Sequence, residues 1–133
     1  MSDYSKFKVF ADGSANAALD RMYYEIAAAM PDFLINDHMC LTGRAAAILQ
    51  GASAQLCDNV IFLVNDADLY ALIQNELPKK LPNKGVLRFR ERTIFYIEAM
   101  IVEIWFEPGT AIGKVMASGV YVQGINQINP ILL

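Results

Sequence analysis

The run NVIFLVND, Asn59–Asp66, decides how the rest of the chain must be arranged. From Asn59 to Val64 it is β-branched, aromatic and apolar at every position after the first. That is the composition of a central strand, covered on both faces, and not of an edge. Asn65-Asp66 ends the strand and supplies a cap for a following helix. In that helix Leu69, Leu72, Ile73 and Leu77 fall on one face, and Pro78 is expected to terminate it.

Upstream lies MCLTGRAAAILQG, Met39–Gly51. Met39 to Leu41 reads as a short buried strand, Thr42-Gly43 as a corner, and Arg44 to Gln50 as a small alanine-rich helix closed by Gly51. Further back, Ser14 is a plausible N-cap for a helix whose stripe is Leu19, Met22, Tyr23, Ile26 and Met30, stopped by Pro31. Residues 1–13 form a mixed leader. Downstream of the second helix, KKLPNKG is a solvated turn. Three strand-like runs then follow in close succession: VLRFRER, TIFYIE and MIVEIWFE. The first alternates, with Arg88, Arg90 and Arg92 on one side and Leu87, Phe89 and Glu91 on the other. The remainder is glycine-rich, with a short helix expected around Ala111 to Ala117 and a strand at Val120 to Gln123. The expected fold class is α+β: a mixed sheet flanked by helices. A purely parallel sheet is excluded because the late strands lie too close together for crossovers.

The chain of 133 residues is read as a single domain, 1–133, ending in an apolar tail at 124–133. It is 55% hydrophobic and 19% charged, which excludes disorder by composition. A net charge of −3 argues against an electrostatically driven nucleic-acid binder, so nucleic acid is not an expected partner. Cys40 and Cys57 read as buried reduced thiols, and one histidine without a CxxC pair makes zinc an unexpected ligand. The leader lacks an apolar core of signal-peptide length, and Ile94–Phe106, the longest apolar stretch, is interrupted by Glu98 and Glu103. No membrane association is expected; a cytoplasmic protein, or a component of a virus-like particle assembled there, is.

Three residues carry the candidate chemistry. Glu103 is a carboxylate inside an otherwise apolar run, so it requires a cation, a metal or water. Arg88, Arg90 or Arg92 on a neighbouring strand would satisfy it, as would an open face. Asp58 precedes the central strand and suits either a turn or a ligand. Arg44 sits at a helix start, where the partial positive charge disfavours it unless an anion is near. That anion is Asp58, Glu103, a C-terminus or a bound phosphate. His38, Ser53 and Cys57 lack the neighbours that general-base or nucleophilic catalysis demands.

Taken together, MCLTGRAAAILQG, LCDNVIFLVND and MIVEIWFE resemble the nucleotidyltransferase superfamily, in particular its minimal members. The resemblance spans roughly Leu19 to Phe106 and rests on order and spacing. It implies a nucleotide-binding corner at Gly43 and Arg44, with Arg44 where the family has Gly or Ser. It further implies metal ligands at Asp58 and Glu103, and Mg²⁺ as cofactor if that site is retained. The family's second aspartate falls on Val60, which cannot bind a metal. The expectation is therefore a nucleotidyltransferase-fold protein that has lost catalysis, with no cofactor, serving as a binding or assembly subunit such as one of a phage-like particle. The high apolar content and the INQINPILL tail imply a protein partner or self-association as a homo-oligomer. The alternative is an active or residual Mg²⁺-dependent nucleotidyltransferase that still binds nucleotide.

Overall fold

The computed structural model describes residues 22, 24–30, 33, 37–51, 59–97, 100–109, 112–117 and 120–133. Of the residues named above, the leader 1–13, Ser14, Leu19, Tyr23, Pro31, Ser53, Cys57, Asp58, Glu98 and Ala111 lie outside these. Residues 22 and 24–29 are helical (α1) and are followed by β1 (Met39–Thr42), α2 (Gly43–Leu49), β2 (Asn59–Val64) and α3 (Ala67–Lys80). Next come β3 (Leu87–Arg88), β4 (Arg92–Ile97), β5 (Met100–Phe106), β6 (Lys114–Ala117) and β7 (Val120–Gln123). Two 3-10 turns, Ile125–Gln127 and Pro130–Leu132, end the chain.

The described strands form one seven-stranded sheet in the order β3-β4-β5-β2-β1-β7-β6. Strand β2, apolar at every position after Asn59, stands in the middle, as its composition requires. It runs parallel to β5 and antiparallel to β1, while β1 runs parallel to β7, so the sheet is mixed. The β2–β5 crossover contains α3 and the β3–β4 hairpin, which meets the length that a parallel connection needs.

Alternation along the strands divides the sheet into two faces. Val60, Phe62 and Val64 of β2 join Met39 and Leu41 of β1 and Val102 and Ile104 of β5 in the main core. Helices α1, α2 and α3 cover that face through Met22 and Ile26, Ala45 to Ile48, and Tyr70, Ile73 and Leu77. Three consecutive buried alanines let α2 approach β1 and β2 closely. On the opposite face Cys40, Leu63 and Ile112 form a smaller cluster against Trp105 and Tyr121.

Each helix start has its own solution. Asp66 caps α3, its carboxylate accepting from the Leu69 amide at 2.9 Å. Thr42 stands at the cap position of α2 without a side-chain cap bond, because its hydroxyl instead donates to Gln123 Oε1 at 2.6 Å.

Several expectations are corrected. Pro78 lies inside α3, which continues to Lys80; the Leu81 amide donates to the Leu77 carbonyl at 2.8 Å, closing the last turn beyond the proline. The buried stripe of α3 is Tyr70, Ile73 and Leu77, and Leu72 is 51% exposed. Tyr70 wins the core position because its ring stacks on Phe106 at 4.9 Å while Gln74 Nε2 and Thr93 Oγ1 donate to its hydroxyl. Burial pushes that phenol above its ordinary pKa. VLRFRER is not one strand: β3 has two residues, and a turn at Arg90-Glu91 places Arg92 on β4. Lys114–Ala117 is a strand paired with β7, not a helix, since the β6–β7 hairpin satisfies its backbone across the sheet edge. Among the described residues no helix is long and apolar enough to cross a membrane.

The placement of α3 yields a direct test. Ile73→Ala should lower unfolding free energy by about 2–5 kcal/mol, the range for emptying a fully buried aliphatic site. Leu72→Ala should change it by less than about 0.5 kcal/mol. Urea denaturation of both variants decides the matter, and equal effects would reject the helix orientation.

Candidate functional site

The face opposite the helices carries a groove of about 260 Å³. Its floor is Thr42, Leu63, Trp105 and Gln123, contributed by β1, β2, β5 and β7, and its rim is Glu107, Gln127, Asn129 and Leu132. The corner Thr42-Gly43-Arg44 lies at one end of it. Gly43 has φ +71°, a left-handed conformation that glycine adopts without strain and that turns the chain from β1 into α2. A Cβ built there would lie 3.5 Å from the Leu132 carbonyl oxygen and 3.8 Å from Ile61 Cδ1. The corner is thus in contact with the C-terminal 3-10 turn.

Arg44 holds that turn in place. Its Nε and Nη2 donate to the main-chain oxygen of Leu133 at 3.2 and 2.8 Å. The anion-like partner demanded by an arginine at a helix start is here a main-chain oxygen of the C-terminal segment. The same segment is anchored once more by Ile128, buried in the main core, and Asn129 caps its last turn, Oδ1 accepting from the Ile131 amide at 3.1 Å. Its start is set by a close approach. A Cβ on Gly113 would come within 2.9 Å of Gln127 Cγ, so the absence of a side chain there lets Gln127 reach the groove. The tail therefore meets the site through Gln127, Asn129 and Leu132, while Ile131 remains 88% exposed.

Glu103 lies on the groove side of β5. In the parallel register it stands beside Ile61, whereas Val60 pairs with Val102 and is fully buried under the helices. The residues of β2 that share the Glu103 face are Asn59, Ile61 and Leu63. Trp105 Nε1 donates to Glu103 Oε1 at 3.1 Å, and Arg92 Nη1 lies 3.9 Å from the same oxygen. The Arg92 guanidinium also sits 4.1 Å above the centroid of the Trp105 ring. One cation thus touches both side chains, and Arg92 is the member of the arginine stripe that answers Glu103. Arg44 and Glu103, paired in one of the sequence options, each have another partner.

The groove residues Trp105, Glu107, Gln123, Gln127 and Asn129 were not expected from the sequence. Counting by two along VEIWFE from Glu103 reaches Trp105 and Glu107, so the strand period held that signal. Gln123 enters through the β1–β7 pairing and Gln127 through the Gly113 approach, neither of which leaves a local pattern. Gln50 adds to this side by donating from Nε2 to the Gln123 carbonyl at 2.8 Å. Among the described residues no three His, Cys, Asp or Glu side chains converge as a metal site.

Comparison with known proteins adds one likeness. No family model and no curated protein matches the chain. Among solved structures, it is similar to a chain of the CdnC:HORMA-deltaN complex of E. coli MS115-1, at 18% identity and a TM-score of 0.36, over 88% of this chain. This chain spans 41% of that one.

Two variants test the corner. Arg44→Ala should accelerate hydrogen exchange at the Leu132 and Leu133 amides while lowering global stability by less than about 1 kcal/mol, because the lost bonds are solvent-exposed. Unchanged exchange would show that Arg44 does not hold the turn. Gly43→Ala should destabilise by about 1–3 kcal/mol through its positive φ, and a neutral result in thermal unfolding would contradict the corner geometry.

Proposed function

We propose that this is a nucleotidyltransferase-like protein whose catalytic corner is closed by its own chain, and that it works as a non-catalytic binding or assembly subunit. The observation that carries the reading is the pairing of Ile61 with Glu103 across the two central parallel strands. Nucleotidyl transfer of the kind the sequence resembles needs clustered carboxylates to hold Mg²⁺ ions over the triphosphate. At the register position beside Glu103 this chain presents a branched aliphatic side chain, and Glu103 itself is held by Arg92 and Trp105. On the described part of β2 no carboxylate stands beside Glu103, which supports the non-catalytic reading.

The groove's chemistry supports the same conclusion. Among the described residues its polar lining is amide and hydroxyl groups with one carboxylate, Glu107, and the Arg92 guanidinium beside it is taken up by Trp105 and Glu103. Such a lining offers little to a polyphosphate, which is held by Lys, Arg, metal ions or clustered amides at a helix start. Arg44, the nearby cation, already donates to Leu133. An assembly role also suits the exposed large apolar side chains Leu72, Leu87, Phe89, Tyr96 and Ile131.

The test is thermal unfolding in Mg²⁺ with each nucleoside triphosphate in turn. A ligand present at ten times its Kd would stabilise the fold by about 1.4 kcal/mol, a readily measured rise in Tm. We expect no rise at millimolar ligand. A saturable rise with any one nucleotide would establish the alternative, a retained nucleotide site at Gly43 and Arg44.

A further inference from the structure

We infer that the groove is a binding site for a short uncharged carbohydrate, of about disaccharide size, held between Trp105 on β5 and Gln123 on β7. The inference rests on the non-catalytic binding reading above and names the class of ligand.

The groove floor holds a hydrogen-bonding group that the described chain does not use. Gln123 is only 7% exposed and lines the groove. Its side-chain oxygen accepts from Thr42 Oγ1 at 2.6 Å, and its main-chain oxygen accepts from Gln50 Nε2 at 2.8 Å. These bonds fix the residue, yet among the described residues nothing accepts from its Nε2. A donor held this deeply calls for an acceptor from outside the chain. Glu107, on the rim, is the converse case. Its amide donates to the Val64 carbonyl at 2.9 Å, while its partly buried carboxylate has no hydrogen bond or ion pair among the described residues. The side chains of Gln127 and Asn129 add amides to the same rim, and an amide both donates and accepts.

Charge and shape select the ligand. A phosphate or carboxylate would meet Glu107, while the nearby arginines are engaged: Arg92 with Trp105 and Glu103, Arg44 with Leu133. The ligand is therefore uncharged. Sugar hydroxyls donate and accept at once, so one molecule answers the Gln123 donor and the Glu107 acceptor together. The apolar wall is Trp105, whose Nε1 donates to Glu103 at 3.1 Å and whose ring carries the Arg92 guanidinium at 4.1 Å. A ring held at both its edge and its face is a rigid surface for the C–H groups of a sugar. In the sheet order Trp105 and Gln123 stand three strands apart, roughly 14 Å at about 4.8 Å per strand. One flat heterocycle lying on Trp105 does not bridge that span; two linked sugar rings do. A volume of about 260 Å³ limits the ligand to that size, since drug-sized pockets begin near about 300 Å³.

Trp105 is the single tryptophan of the chain, so its fluorescence reads the groove directly. The full chain is titrated with maltose, cellobiose, lactose and N,N′-diacetylchitobiose, each to about 10 mM, tenfold above a Kd of about 1 mM. Adenosine and Mg²⁺-ATP are titrated alongside. At least one disaccharide should change the emission saturably, and the nucleoside and nucleotide should not. Glu107→Gln and Gln123→Met should each weaken that binding at least about tenfold, the loss of one strong hydrogen bond. Leu72→Ala, on the helix side of the sheet, should leave it unchanged. The Glu107 carboxylate touches no polar group among the described residues, so Glu107→Gln should keep its circular dichroism and carries the test if Gln123→Met fails to fold. Emission unmoved by all four disaccharides overturns the inference, as does binding that survives Glu107→Gln or a response to adenosine alone. A saturable response to Mg²⁺-ATP overturns both this inference and the non-catalytic reading. Silence towards every probe removes the carbohydrate and leaves that reading standing.

Discussion

Parallel pairing of β2 with β5 is the constraint on which the rest of the structure depends. It joins the two most apolar strands at the centre of the sheet and sets, residue by residue, which side chains face the helices and which face the groove. Because the side-chain period of a strand is two, a shift of one residue would exchange the faces entirely. In the observed register Val60, Phe62 and Val64 meet the helices, and Ile61 and Leu63 meet Glu103 and Trp105. The make-up of the groove follows from that register.

The second determinant is the way the C-terminal segment returns to the beginning of the sheet. Parallel pairing of β7 with β1 brings Gln123 to the Thr42 hydroxyl, and the two 3-10 turns then run over Gly43 to Arg44. The contact is cheap to make, since Gly43 has no side chain to displace and Arg44 needs an acceptor. The corner is thereby covered by main chain. Small side chains, a left-handed glycine and an arginine, which elsewhere would suggest ligand binding, serve here to hold one part of the chain against another.

Much of this was legible in the sequence because it is local or periodic. NVIFLV announces a central strand by composition, and the corner at Thr42-Gly43 follows from the glycine and the alanine-rich helix after it. The cap at Asp66 is a short-range pattern, as is the need of Glu103 for a cation. What escaped is set by tertiary pairing. Tyr70 displaced Leu72 from the core because its hydroxyl found Thr93 and Gln74, which no helical period reveals. The Arg90-Glu91 turn split an alternating run that looked like one strand. That Ile61 and not Val60 shares the face of Glu103 is set by the β2–β5 register, which leaves no local mark. The acceptor for Arg44 lies 89 positions away and is a main-chain oxygen, so no side chain in the sequence marks it.

The identity of the neighbour of Glu103 is thus the central claim, and paired cysteines measure it most directly. In a background lacking Cys40 and Cys57, the double variant Ile61→Cys/Glu103→Cys places two thiols on one face of adjacent strands, roughly 5 Å apart between Cα atoms and within disulfide range. Val60→Cys/Glu103→Cys places them on opposite faces of the sheet. Under mild oxidation, mass spectrometry should find the first pair crosslinked and the second reduced. A crosslink in the Val60 pair without one in the Ile61 pair would contradict the register, and with it the account of the groove.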